Sequence, residues 1–159
     1  MKYYSQWMSP IGEIVVVTSD IAVEQVILTQ WTKIPFDPAG IQRDHAISLE
    51  AVAQLQGYFA GFRKQFQLPL SIKGSVFQQT VWQALTKIPY GETRTYGEIA
   101  KIIDNPQASR AVGQANRANQ LPIIIPCHRV IGHNNKLVGY MGDKTDIKQW
   151  LLNLEANNR

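Results

Sequence analysis

The sequence is poor in cysteine: Cys127 is the only one among 159 residues. A single thiol excludes an internal disulfide framework and any multi-cysteine zinc or iron–sulfur site. Long apolar runs are also missing. The longest, Ile14 to Val17 and Leu121 to Ile125, fall far short of a membrane span. The opening Met1-Lys2-Tyr3-Tyr4-Ser5-Gln6-Trp7 lacks the apolar core of a secretory signal, so no cleaved leader is expected. Internal repeats and low-complexity tracts are absent. Charged residues make up only 18% against 45% hydrophobic, a balance that excludes wholesale disorder. The length suits one domain or two very small ones, and the expected home is a reducing cytoplasm.

What charge there is lies unevenly. Residues 1–74 hold six Lys and Arg against six Asp and Glu, whereas residues 75–159 hold ten against six. The whole net charge of +4 therefore belongs to the second half. A basic module beside a neutral one points to a polyanion partner.

The first half reads as strands followed by a helix. Pro10-Ile11-Gly12 is a turn signal, Ile14 to Val17 is a β-branched run, and Ser19-Asp20 breaks it before Val23 to Thr29 resumes. That pattern predicts a small antiparallel meander. Pro35, Pro38 and Gly40 mark residues 31–44 as a loop. Val52, Leu55, Phe59 and Phe62 then recur at helical spacing from about Ser48. His45 reads as a surface residue. Residues 61–74 form the expected connection.

Beyond it come short, well-capped helices. Ser75-Val76-Phe77-Gln78 and Thr95-Tyr96-Gly97-Glu98 both have the form of a capping box. Phe77, Val81, Trp82 and Leu85 make the buried stripe of the first helix, and Ile99, Ala100 and Ile103 that of the second. Asn105-Pro106 predicts a third helix, capped by Asn105 and running to about Asn116. Two short helices with a tight turn between them read as a helix-turn-helix. Ile123-Ile124-Ile125-Pro126-Cys127 reads as an extended, strand-like segment. Val130-Ile131, a polar tip at His133-Asn134-Asn135-Lys136, and Leu137-Val138 predict a hairpin, and hence a wing beside the helices. Ile147, Trp150, Leu151 and Leu154 mark a final helix.

Cys127 stands in an unusual setting. A lone cysteine is ordinarily a small buried hydrophobe. Here His128 and Arg129 follow it, and Pro122 and Pro126 fix the chain before it. Basic and cationic neighbours favour the thiolate, which is the reactive form. In an extended segment successive side chains point to opposite sides, so His128 would act through one bridging water rather than by direct contact.

Ile125-Pro126-Cys127-His128-Arg129-Val130-Ile131 closely resembles the active-site signature of the O6-alkylguanine-DNA alkyltransferases. Supporting matches run from Phe77-Gln78-Gln79-Thr80-Val81-Trp82 through Ser109-Arg110-Ala111-Val112-Gly113 and Gly139-Tyr140 to Trp150-Leu151-Leu152. The strong resemblance covers residues 75–155; Ser9-Pro10-Ile11-Gly12 is similar to the family's opening. It implies an α/β (α+β) protein with a ribonuclease H-like domain over residues 1–70 and a winged-helix domain over residues 75–159. The implied partner is double-stranded DNA carrying O6-alkylguanine, and the implied reaction is irreversible transfer of one alkyl group to the protein. No cofactor, no metal and no membrane are expected, and the chain is expected to be a monomer. The zinc site of some relatives cannot form in the first half, which has no cysteine and only His45.

The resemblance also assigns roles. Cys127 becomes the acceptor, His128 its base, and Glu155 the carboxylate that orients the histidine. Asn119 organises the turn around the acceptor, and Tyr96 protonates the departing guanine. Arg110 fills the space of the flipped base, and Tyr140 lines the base pocket. Ala108, Ser109, Ala111 and Gly113 are small, which suits close approach to a minor groove rather than base reading in a major groove. Gln114 stands on the same helix where relatives often have a small residue. The familiar Gly-Tyr-Ser-Gly-Gly stretch is Gly139-Tyr140-Met141-Gly142-Asp143 here, so Met141 and Val138 are expected to narrow the alkyl pocket. Pro122 offers that pocket an apolar wall. Three other readings differ in one feature each. A non-enzymatic lesion-binding relative would lack the acceptor cysteine, a winged-helix regulator would prefer an operator sequence, and a cysteine hydrolase would turn over.

Overall fold

Strand pairing begins at the turn where Pro10 and Ile11 connect β1 (Tyr3–Ser9) to β2 (Gly12–Thr18). Gly12 closes this turn at φ +102°, a conformation that glycine adopts without strain. The Ser9 hydroxyl donates to the Gly12 carbonyl at 2.6 Å and accepts from Ile11 N–H at 3.1 Å. β3 (Val23–Leu28) pairs antiparallel with β2, as the meander requires. Val15 and Val16 of central β2 are wholly buried, which explains an unbroken apolar run where an edge strand would alternate.

The computed structural model describes residues 1–33, 35–133 and 145–159, with Thr145 and Asp146 by backbone alone. The chain forms two compact units, Met1–Ile72 and Lys73–Arg159. In the first, α1 (Ala46–Phe59) covers β1 and β2 with Ala51, Val52, Leu55, Tyr58 and Phe59. Two expectations are corrected here. The 31–44 stretch contains β4 (Gln42–Arg43), which adds to β1 in parallel and gives the sheet order β3-β2-β1-β4. Phe62 is 88% exposed, because the helix stops at Phe59 and Gly61 turns the chain at φ +84°.

In the second unit both capping boxes form. Ser75 Oγ accepts from Gln78 N–H at 3.1 Å, and the Gln78 side chain accepts from Ser75 N–H at 2.9 Å, opening α2 (Val76–Thr86). Thr95 and Glu98 repeat the exchange at 3.0 and 2.9 Å to open α3 (Tyr96–Ile102) after the short β5 (Arg94–Thr95). α2, α3 and α4 (Ser109–Arg117) pack together, pinned by Trp82 Nε1 donating to the Ala115 carbonyl at 2.8 Å.

Two further expectations fail in this unit. The third helix does not begin at Pro106. Asp104 takes φ +60°, Ala108 N–H reaches the Asn105 carbonyl at 2.9 Å, and Asn105-Pro106 serves a turn that delays the helix to Ser109. Arg110 consequently sits in the first turn of α4 rather than in its middle. Residues 123–127 are not extended. Ile125 N–H bonds the Leu121 carbonyl at 2.8 Å, Ile123 adopts φ +74°, and Cys127–Arg129 make a 3₁₀ turn. β6 (Val130–Ile131) pairs in parallel with β5. The expected second hairpin strand, Leu137-Val138, lies outside the described residues. α5 (Thr145–Asn157) ends the chain and packs on the 3₁₀ turn through a face that includes Ile147 and Leu151. No helix among the described residues is long and apolar enough to cross a membrane.

Candidate active site

Cys127 opens the 3₁₀ turn and is 1% exposed. Its position is set from both sides by the backbone: its N–H donates to the Ile125 carbonyl at 2.7 Å, and Asn116 Nδ2 donates to its carbonyl at 3.2 Å. Asn119 holds the preceding turn closed. Its Nδ2 donates to the Ile125 carbonyl and its Oδ1 accepts from Leu121 N–H, both at 2.9 Å. These two bonds span the residue with the strained backbone, Ile123, a β-branched side chain at positive φ. Pro122 is buried in the same turn and bridges to Ile125.

The next residue, His128, is wholly buried, and its Nε2 lies 2.6 Å from Glu155 Oε2 on α5. Burial would raise the Glu155 carboxyl, but bonds from His128 and Arg129 hold it well below the usual carboxylate range. An ionised carboxylate only accepts, so Nε2 carries a proton; in a neutral imidazole Nδ1 then keeps the lone pair. His128 itself is pushed below the ordinary imidazole value. Burial is the main cause, and the nearby cations Arg129 and Lys148 add to it against the opposing pull of Glu155.

Arg129 does not lie beside the thiol as a loose cation. It forks onto Glu155, with Nε to Oε1 at 2.8 Å and Nη2 to Oε2 at 3.1 Å, while Nη1 donates to the Ile88 carbonyl at 2.7 Å. Gly91 N–H gives Oε1 a further bond at 3.1 Å. Among the described residues a cation that acts on Cys127 is Lys148, wholly buried on α5, with Nζ 5.6 Å from the centre of the Tyr96 ring. Burial pulls its ammonium down to about 8, and Cys127 draws it the other way. Tyr96 is half-buried at the start of α3. Burial and the negative charge of Cys127 push its phenol up to about 12, with Arg117 and a bond to Asn116 opposing.

The structure thus brings Cys127, His128, Glu155, Asn119 and Tyr96 into one unit. Tyr140, Met141 and Val138 lie outside the described residues. On α4, Arg110, Ala111 and Gln114 are exposed, and Arg117 continues their face. Ala108 and Ser109 are half-buried, and Gly113 faces inward, where a Cβ would stand 3.9 Å from the Tyr96 ring. Sequence reasoning missed Lys148, Asn116 and Arg117. Lys148 had a signal: it stands seven residues before Glu155, on one face of a helix whose other inward positions are apolar. Among the described residues no group of His, Cys, Asp or Glu could hold a metal ion.

A buried cysteine followed by a carboxylate-oriented histidine, in a unit whose helix α4 displays a basic face, defines a thiol-nucleophile protein of the group-transfer kind. The comparisons make that class specific. A family model described as the DNA-binding domain of 6-O-methylguanine DNA methyltransferase matches residues 76–157. A constitutive methylated-DNA–protein-cysteine methyltransferase of Bacillus subtilis is 49% identical over 98% of this chain and 96% of its own. A methylated-DNA–protein-cysteine methyltransferase of Methanosarcina acetivorans is 48% identical over 98% and 99%. Among solved structures, a Mycobacterium tuberculosis OGT in complex with DNA superposes with a TM-score of 0.87 at 42% identity, covering 98% of this chain and 94% of that one. The chain belongs to the 6-O-methylguanine DNA methyltransferase family.

Proposed function

We propose that this protein repairs O6-alkylguanine in DNA by moving the alkyl group to Cys127 Sγ, once per molecule. The observation that carries this reading is the 2.6 Å contact between His128 Nε2 and Glu155 Oε2, one residue after a buried cysteine. With Nε2–H committed to the carboxylate, Nδ1 takes the thiol proton through a bridging water. Sγ then attacks the carbon on O6. The S–C bond forms as the C–O bond breaks, and the bonding pair leaves on the purine. Tyr96 supplies the proton that neutralises the purine. Burial is the main cause that holds the phenol up, and the thiolate charge that adds to it disappears when sulfur is alkylated, so Tyr96 becomes a better acid as the purine needs the proton. The product is a thioether, which neither water nor cellular thiols reopen readily.

An acceptor this deeply buried requires the base to leave the duplex, at a cost of a few kcal/mol. Arg110, with Ala111 and Gln114 on the exposed face of α4, supports entry from the minor groove, Arg110 filling the vacated stack. Ala108, Ser109 and Gly113 keep that approach close, and Pro122, Val138, Tyr140 and Met141 form the pocket for base and alkyl group. The protein acts as a monomer in a reducing compartment such as the cytoplasm, where its one thiol stays reduced. Intact-protein mass spectrometry after incubation with an O6-methylguanine duplex tests the reading. One methyl mass on Cys127, saturating at one per protein, is expected. Continued turnover would indicate a hydrolase, and binding without an adduct a lesion-recognition protein.

A further inference from the structure

Glu155 is bonded more heavily than a residue that only orients a histidine requires. Its Oε2 meets His128 and Arg129, and its Oε1 meets Arg129 and Gly91 N–H. The guanidinium is itself fixed at its far end, by the Ile88 carbonyl and by the Tyr90 ring 5.6 Å away. A buried carboxylate needs a counter-charge in reach. Two groups could supply one, the permanent cation Arg129 or a proton added to His128. If the proton did, His128 would rest as an imidazolium and could not accept the thiol proton.

We propose that Arg129 is a positioning residue for alkyl transfer: its fork balances and orients Glu155, so that Glu155 holds His128 as the neutral Nε2–H tautomer instead of drawing a second proton onto it. The inference rests on the transfer reading above. Among the described residues, the charged and titratable groups around His128 fit it. Glu155 and Lys148 approach from α5, Cys127 and Arg129 from the 3₁₀ turn, and Tyr90 borders the pair from the turn after α2. While Cys127 keeps its proton, Glu155 is the one of these groups that favours the imidazolium, and Arg129 is bonded to both of its oxygens.

The test compares Arg129→Met, Arg129→Lys and the double variant Arg129→Met/Glu155→Gln in the full chain. Methyl transfer from an O6-methylguanine duplex is timed across pH, and the ¹⁵N shifts of the His128 ring report its tautomer and titration. In Arg129→Met the His128 titration should rise by about one unit or more, the effect of losing a nearby cation. Transfer should then fall about tenfold or more near pH 6 and recover at high pH. The double variant removes both buried charges and should return the titration to its low position. Arg129→Lys keeps the charge but not the fork. It should leave the titration low and lower the rate similarly at every pH.

An Arg129→Met protein with unchanged His128 titration and a loss of rate independent of pH would overturn the proposal. Should that variant fail to fold, a raised titration in Arg129→Lys, or in the double variant, overturns it equally. A wild-type protein that gains no methyl on Cys127 would instead refute the transfer reading.

Discussion

Replacing Lys148 by Met should make the protein more stable and worse at its reaction. The ammonium is wholly buried, and its pKa falls from 10.5 to about 8, chiefly because burial disfavours the charge. The unfolded chain therefore holds this proton up to about pH 10.5 and the folded chain only up to about 8. Between those values the unfolded state binds more protons, so stability rises with pH; below pH 8 the full cost is present. At 1.36 kcal/mol per unit, that cost is roughly 3 kcal/mol near pH 7 and falls to about 1 kcal/mol at pH 10. Met fills a similar volume without the charge. Urea unfolding of both proteins at the two pH values should give Lys148→Met an advantage of about those sizes. Transfer should meanwhile slow by about tenfold for each pK unit by which the ammonium favours the Cys127 thiolate. A variant less stable than wild type at pH 7, or one whose advantage is the same at pH 10, would refute the electrostatic account.

Asn119→Ala should destabilise the second unit by about 2 kcal/mol in urea unfolding, since two bonds that close the turn are lost; a change within 0.5 kcal/mol, roughly the scale of an ordinary surface substitution, would mean that the turn closes without them. Cys127→Ser should abolish adduct formation while leaving duplex affinity within a few-fold in a binding titration, because the sulfur is interior and touches no groove. Arg110→Ala should slow transfer from duplex DNA more than from the free modified base, which has no stack to leave; equal losses would assign Arg110 to the fold. Affinity for duplex should fall as salt rises, although Arg129 and Lys148, being interior, contribute nothing to that slope.

What the sequence made legible was local. Ser75 with Gln78 and Thr95 with Glu98 satisfy helix termini three residues away, so the capping boxes could be read without knowing the fold. The meander was legible for the same reason, from turn residues and β-branched runs. Asn105-Pro106 obeys an equally local rule, yet the chain uses it to turn after Asp104, because α3 ends there with its own left-handed residue. Residues 123–127 were misread since apolar β-branched composition describes burial as well as a strand. The segment buries its side chains by turning back on itself, even at the cost of a left-handed Ile123. The site divides along the same line. Cys127 and His128 are adjacent, whereas Glu155 lies 27 residues beyond His128, and only the resemblance to a family linked them. The partners of Arg129 and Lys148 lie on other elements, and periodicity carries no trace of which charge meets which.

These features share a physical logic once the reaction is stoichiometric. An enzyme that turns over must release its product, which favours open sites and moderate strain. An acceptor used once has no product to release from its own sulfur. It can therefore sit in the interior, behind a strained turn that two asparagine bonds keep shut, with a lysine whose burial costs stability. The interior location also protects the thiol, because oxidation follows exposure as well as thiolate character. A cysteine that is 1% exposed meets only what is delivered to it, and under the proposed function delivery means a base already extruded from DNA. Selectivity for the lesion over other alkyl donors then comes from access as much as from recognition.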